Sequence, residues 1–321
     1  FSAWTDWDYP PTGAPSTSRQ QHWLATLDGR TGKFRWRQPL SCRYGMPGSP
    51  TFGPYHTNGV RLTPVFADLN GDGTLDVILP AETTADPARF ELRALDGADG
   101  STLWRRSLIT PANNNYWDAF ANLATPLAAD LDADGMPEVV LLEYEYLDHQ
   151  PMADGPVPAV PEAAQAGPQD QTAGHFRLTA LTRAGRQLWQ TRVPVDEPKF
   201  VVGYDQSAQA VKPLPQLIHT RGSTSLIAVG FWGWSQPGKI VVFDAAGQQL
   251  AQQQVAATQF RPLIHDVNGD GDDDVLVISG NTLLALNPAA QLATIWQWLL
   301  PPSDGPRLID VLPPQGAGPA D

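Results

Sequence analysis

Asp68-Leu-Asn-Gly-Asp-Gly-Thr-Leu-Asp76 returns twice more in this 321-residue chain, as Asp130-Leu-Asp-Ala-Asp-Gly-Met-Pro-Glu138 and Asp266-Val-Asn-Gly-Asp-Gly-Asp-Asp-Asp274. Each copy sets Asp or Asn at positions one, three and five, Gly at six and a carboxylate at nine. Hard oxygen ligands at alternate positions converge when the chain curls around a point, and a glycine at the sharpest bend removes the side-chain clash, which is the recipe for Ca²⁺. Pro64-Val-Phe-Ala precedes the first copy and Val77-Ile-Leu-Pro follows it; Val139-Val-Leu-Leu and Val275-Leu-Val-Ile follow the others. Short β-branched and apolar runs of this kind are strands, so each loop joins two strands.

Spacing rules out the EF-hand, whose loop needs a bidentate Glu at position twelve and a helix on each side. Position twelve is Leu79, Leu141 or Val277. The net charge of −13, from 34 acidic and 21 basic residues, gives no electrostatic support for nucleic-acid binding. Bound calcium would offset part of that charge, so stability should depend on it. Cys42 is the single cysteine, which excludes an intrachain disulfide framework and a cysteine metal site. Modest-affinity calcium loops fill outside the cytosol, so the chain reads as extracellular, periplasmic or cell-surface. No apolar run reaches the roughly 20 residues of a membrane span, and the start at Phe1 reads as a processed or trimmed chain without its leader.

A second motif alternates with the acidic loops. Its clear copies are Ala25-Thr-Leu-Asp-Gly-Arg-Thr-Gly-Lys-Phe-Arg-Trp36 and Arg93-Ala-Leu-Asp-Gly-Ala-Asp-Gly-Ser-Thr-Leu-Trp104, with weaker ones at 179–189, 241–250 and 284–296. Each reads as a strand, a tight glycine turn and a second strand carrying Trp. Alternation through Phe90, Leu92, Ala94 and Leu103 predicts one buried face, with Trp closing a packing layer between units. Loop hairpin plus Gly-Trp hairpin makes four strands, repeated at 62 residues from Asp68 to Asp130. A four-stranded antiparallel unit on this scale is a β-propeller blade.

Phase then locates the departures from the pattern. Residues 213–228 align with the calcium hairpins but put Leu217, His219, Arg221 and Ser225 at the ligand positions, so this hairpin should fold without metal, its guanidinium standing where an ion would sit. Nearly complete units fall near 64–108, 126–193, 213–255 and 262–298; an orphan hairpin at 22–40 and an orphan strand at 306–312 are complementary halves, so either they close a fifth blade or the sequence continues past Asp321 into a larger ring. The expected organisation is an N-terminal aromatic segment at 1–21, an all-β propeller of about five blades at 22–312, and a tail at 313–321. A Pro/Ala/Gln-rich excursion at 147–175 has no periodicity and reads as solvated. Aromatic groups at Phe1, Trp4, Trp7 and Tyr9, at Trp232 and Trp234, and the loops holding Tyr44, Tyr55, Tyr116 and Trp117 offer surfaces for a partner.

The acidic hairpins resemble the FG-GAP/VCBS calcium repeats of integrin-type propellers, and the LDGxTGxxxW hairpins resemble the tryptophan repeat of quinoprotein-like (PQQ-like) propellers. Together they cover most of residues 22–312. The resemblance implies three Ca²⁺ sites. The first has the side chains of Asp68, Asn70, Asp72 and Asp76 with the Thr74 carbonyl; the second has Asp130, Asp132, Asp134 and Glu138 with the Met136 carbonyl; the third has Asp266, Asn268, Asp270 and Asp274 with the Asp272 carbonyl. Glu138 departs from the usual Asp. Three function classes follow: a binding or scaffold subunit of an extracellular or envelope assembly with protein partners, a lectin-like glycan binder, and an enzyme of polysaccharide-lyase or quinoprotein type. Quinoprotein enzymes usually carry eight blades, against about five hairpins here, and this chain has no vicinal cysteine pair. The six histidines lack metal spacing, and no Ser/His/Asp set or phosphate-binding glycine loop is present. Repetition of one closed loop argues that the ions are structural, because a catalytic ion needs an open coordination position. The sequence therefore reads as a non-catalytic, calcium-stabilised scaffold or interaction protein.

Overall fold

The computed structural model describes residues 2–6, 21–41, 64–82, 90–108, 126–146, 174–193, 215–221, 225–231, 237–256 and 262–301. The orphan strand at 306–312, most of the 147–175 excursion, Cys42, Trp7, Tyr9, Trp232, Trp234 and the Tyr44, Tyr55, Tyr116 and Trp117 loops lie outside these. Every regular element described is a strand. Among the described residues no helix is long and apolar enough to cross a membrane.

Five antiparallel sheets follow one another along the chain, each a simple meander. The first has three strands, β1 (Ser2–Asp6), β2 (Gln21–Leu27) and β3 (Phe34–Ser41). The second is β4 (Val65–Ala67), β5 (Asp76–Glu82), β6 (Phe90–Leu95) and β7 (Thr102–Ser107). The third is β8 (Leu127–Ala129), β9 (Glu138–Tyr146), β10 (Gly174–Leu181) and β11 (Gln187–Val193). The fourth is β12 (Pro215–Ile218), β13 (Leu226–Phe231), β14 (Gly238–Phe243) and β15 (Gln249–Val255). The fifth is β16 (Leu263–His265), β17 (Asp274–Ser279), β18 (Thr282–Asn287) and β19 (Ala293–Leu299). The β1 strand lies within the N-terminal aromatic segment and pairs with β2 from Ser2↔Ala25 to Asp6↔Gln21.

All five sheets repeat one irregularity. The register between third and fourth strands, or between β2 and β3 in the first sheet, slips by one residue at Thr26/Leu27, Ala94/Leu95, Ala180/Leu181, Val242/Phe243 and Ala285/Leu286. The slip lies one or two residues ahead of the turn Asp28, Asp96, Thr182, Asp244 or Asn287. Bulges next to a turn add twist and re-aim the strand that follows, here the strand that carries Trp in four of the five sheets. The turns then close through a left-handed residue. Gly32, Gly100, Gly185 and Gly247 have φ of 67, 78, 76 and 77°, and each donates its N–H to the carbonyl of the turn's first residue.

Two compact units divide the chain, Phe1–Pro215 and Gln216–Asp321. Within the first, Leu24 and Trp36 pack against Val77, Leu79 and Leu95 of the second sheet. The opposite face of that sheet, Ile78, Leu92 and Ala94, packs against Val139, Leu141 and Leu181 of the third. Within the second unit, Ile218, Ala228, Ile240 and Val242 meet Val275, Val277 and Leu286. Within each unit, consecutive sheets thus stack face to face.

This stacking corrects the one-face expectation for the second sheet. Both faces of β6 are buried, and the face opposite Leu92 and Ala94 carries Glu91 and Arg93, 8% and 4% exposed. Arg93 Nε donates to Glu91 Oε1, and Arg105 lies 3.8 Å from the same oxygen. A second pair, Arg106 to Glu143 at 3.7 Å, lies between the second and third sheets. Charges survive burial in these seams because each has an opposite charge beside it.

Candidate metal centre

The three acidic loops fold alike, each between the first two strands of its sheet. At position two, Leu69 and Leu131 are buried in the core, 2% and 7% exposed, and anchor the loop's entry. The N–H of the same position donates to the carboxylate at position nine: Leu69 to Asp76 at 2.8 Å, Leu131 to Glu138 at 2.9 Å, Val267 to Asp274 at 3.2 Å. The N–H at position six donates to the first Asp, from Gly73 to Asp68, Gly135 to Asp130 and Gly271 to Asp266, all at 2.8–2.9 Å. The N–H at position seven donates to the carboxylate at five: Thr74 to Asp72, Met136 to Asp134, Asp272 to Asp270. The N–H at position five donates to the side chain at three, Asn70, Asp132 or Asn268. Backbone donors therefore fix the side chains at one, three, five and nine on the inside of one curl.

Two positions in each curl are left-handed. Position six was expected to need glycine, and Gly73, Gly135 and Gly271 have φ of 80, 86 and 85°. Position four needs the same conformation: Gly71 and Gly269 have φ of 78 and 76°, and Ala133 is held at 61°. Gly71 also seats a neighbour, since a Cβ there would meet Met136 Cε at 3.4 Å.

The structure brings Asp130, Asp132 and Glu138 together, one oxygen from each lying within 4.8 Å of the others. It is the single such group of three acidic side chains among the described residues. Asp134 is not part of that group, and the carboxylates of the first loop (Asp68, Asp72, Asp76) and of the third (Asp266, Asp270, Asp274) are not brought as close as this; in those loops Asn70 or Asn268 stands where the second has Asp132. Burial raises the position-nine carboxyls of Asp76, Glu138 and Asp274 above their ordinary range. Backbone donors pull each of them back, and neighbouring carboxylates, Asp132, Asp134 and Asp130 around Glu138 and Asp270, Asp266 and Asp273 around Asp274, push them further up. For Asp266 burial also pushes upward, but N–H donors from Gly271, Gly269, Asp270 and Asn268 outweigh it and the carboxyl is lowered.

One orphaned atom tests whether a cation fits. Asp76 takes the Leu69 N–H on Oδ2 and the Gly97 N–H on Oδ1 at 2.9 Å. The residue matching Gly97 in the fifth sheet is Pro288, which has no N–H to give. Asp274 is fully buried, and its Oδ1 has no hydrogen-bond partner. A buried carboxylate oxygen left so is costly unless a cation faces it. The donor set around it is all oxygen and largely anionic, which suits Ca²⁺. In the third loop Asp266, Asn268, Asp270 and Asp274 would hold the ion, and the matching residues of the other two loops would do the same.

Sequence reading missed several residues that support the loops. Asp96 accepts from Asn70 Nδ2 at 3.0 Å. Gly97 runs against the loop so closely that a Cβ would lie 2.0 Å from the Leu75 carbonyl oxygen. The Asp-Gly of the second motif was visible as a turn; its role as a platform under the metal loop was not. The tryptophans complete the frame: Trp36 donates Nε1–H to the Gly97 carbonyl at 3.0 Å, and Trp104 to that of Arg183 at 2.7 Å. The two indoles lie on Gly100 and Gly185, where a Cβ would come within 2.6 and 2.7 Å of the ring.

No family model and no curated protein matches the chain. Among solved structures it is similar to a rhamnogalacturonan lyase of Bacillus licheniformis, with 16% identity and a TM-score of 0.48 over 87% of this chain and 50% of that one. A second rhamnogalacturonan lyase has 17% identity and a TM-score of 0.47, over 87% and 52%. A europium-containing methanol dehydrogenase has 10% identity and a TM-score of 0.48, over 92% and 53%. The chain thus spans about half the length of each of these proteins. Likenesses this low assign neither substrate nor chemistry to this chain.

Proposed function

We propose that Ca²⁺ fills the three loops, that the sheets are the blades of a β-propeller, and that the protein is a non-catalytic interaction or scaffold subunit of an extracellular or envelope assembly. The carrying observation is the common bonding of the three loops, each with a buried carboxyl at position nine and one of these, on Asp274, with an oxygen that lacks a partner. An ion there neutralises crowded carboxylates and ties the first two strands of a sheet together. Three copies of one closed loop supply stiffness to a frame, and they leave recognition to the loops and rims of that frame.

Isothermal titration calorimetry of the chelator-stripped protein, with thermal unfolding in calcium and in EGTA, tests the metal. The expected result is uptake of about three ions and a higher melting temperature with calcium. No uptake, or an unchanged midpoint, overturns the calcium reading. Purification of the native protein tests the role: partners in fixed stoichiometry support the scaffold reading. Release of unsaturated sugars from pectic polymers overturns its non-catalytic part.

A further inference from the structure

The metal-free hairpin of the fourth sheet leans on the third acidic loop. Its turn residues His219 and Arg221 are exposed, yet both are bonded to the neighbouring loop. His219 N–H donates to Asp273 Oδ2 at 2.9 Å, and Asp273 N–H donates back to the His219 carbonyl at 2.8 Å. Arg221 N–H donates to Asp272 Oδ1, and its Nη2 reaches the Gly269 carbonyl at 3.5 Å. The guanidinium lies on Gly271 so closely that a Cβ there would fall 2.1 Å from Nε. The expected place of this guanidinium was its own loop, where an ion would sit; it crosses to the next loop instead. None of these contacts uses the side chains of Asp266, Asn268, Asp270 or Asp274, so the clamp and an ion fit the loop together.

We propose that the ion of the third loop fastens two sheets, its own and the fourth, with Arg221 and His219 as the coupling. The inference rests on the calcium reading above. Without an ion, the charges of Asp270 and Asp266 bear on Asp274, whose buried Oδ1 has no hydrogen-bond partner, and the curl loses a reason to stay closed. Asp272 and Asp273 belong to the same curl, so the seat of His219 and Arg221 moves with it. Here the fourth sheet, whose matching positions hold Leu217, His219, Arg221 and Ser225, borrows its neighbour's ion.

Hydrogen–deuterium exchange on the full chain reads the coupling amide by amide. Chelation with EGTA should lower protection on β12 and β13 by about tenfold or more. Asp270→Asn should do the same in the presence of calcium, and Asp72→Asn in the first loop should not. Replacing Asp272 and Asp273 together by Ala removes the carboxylates that accept the Arg221 and His219 N–H groups, and should keep calcium-dependent protection of 266–274 while weakening the calcium response of β12 and β13. The coupling is overturned if Asp270→Asn leaves β12 and β13 unchanged although calorimetry counts one ion fewer than in the wild-type chain, if Asp72→Asn loosens them equally, or if the Asp272/Asp273 double alanine variant keeps their full calcium response. If calorimetry finds no calcium bound by the wild-type chain, the calcium reading itself falls and the coupling with it.

Discussion

Adding one methyl group at Gly100 should be far more damaging than adding it at Gly32, although the two glycines occupy the same place in the same turn. Their φ angles are 78 and 67°, and both N–H groups close the turn at 2.8 Å on Asp96 and Asp28. Alanine therefore meets the same left-handed strain at each site, about 1–2 kcal/mol. At Gly32 nothing lies within 4 Å of the new Cβ, so the cost ends there. At Gly100 the Cβ falls 2.6 Å from Trp36 Cδ2 and 2.7 Å from Cε3, and a rigid indole cannot bend away. The ring, whose residue is 8% exposed, must leave its seat and give up its bond to the Gly97 carbonyl. That bond contributes about 1 kcal/mol. Re-exposing half of a buried indole, ~100 Å² at ~25 cal/mol/Å², costs about 2.5 kcal/mol more. Gly100→Ala should thus destabilise by about 4–6 kcal/mol against about 1–2 for Gly32→Ala. Urea unfolding of both variants in saturating calcium, followed by far-ultraviolet circular dichroism, measures the gap, and Gly100→Ala should also shift tryptophan emission to the red. Equal losses in the two variants would refute the docking argument.

Three further outcomes follow from the loops. Ala133 is held at φ 61° where the other loops have Gly, so Ala133→Gly should raise the unfolding free energy measured in urea by about 0.5–1 kcal/mol after the extra chain entropy of glycine is subtracted. Pro288→Ala supplies the N–H that Asp274 Oδ1 lacks, so the melting temperature in EGTA should rise and the calcium increment should narrow. Asp76, Glu138 and Asp274 hold protons more tightly folded than unfolded. In the metal-free protein their contribution to stability therefore falls as pH rises from the ordinary values, 3.8 for Asp and 4.5 for Glu, through their raised ones. Melts at about pH 7 and about pH 5 should show a smaller calcium increment at the lower pH. A larger increment there contradicts the buried-carboxyl account.

Local signals carried most of the fold into the sequence. Acidic loop, glycine turn and Trp strand each depend on residues within a dozen positions, so their alternation was readable as four-stranded units, and the strands of the second to fifth sheets follow that reading. The first sheet was harder. Strand β1 joins β2 across residues 7–20, a Pro/Gly/Ser-rich interval that carries neither of the two repeat motifs and so does not announce the pairing. The burial of both faces was hidden for a different reason: Glu91 and Arg93 look like a solvent-facing pair in the sequence. Only a sheet packed on each side of theirs makes them interior, and a neighbouring sheet is not a local property.

The candidate site divides along the same line. The curl that carries positions one, three, five and nine is legible because it is set by spacing along the chain, and the same backbone bonds recur in all three loops. Position four escaped because Ala133 disguises what Gly71 and Gly269 share, and a left-handed alanine cannot be told from a helical one by name. Asp274 is the deeper case. Its exceptional oxygen follows from a proline fourteen residues away that replaces a glycine, and its loop is held by an arginine more than forty residues earlier. Repeats make each acidic loop look equivalent in the sequence; what differs is the platform beneath and the neighbour beside. If those surroundings set how strongly each loop needs its ion, the third should lose its fold most readily on chelation and the first, with both Asp76 oxygens already bonded, least.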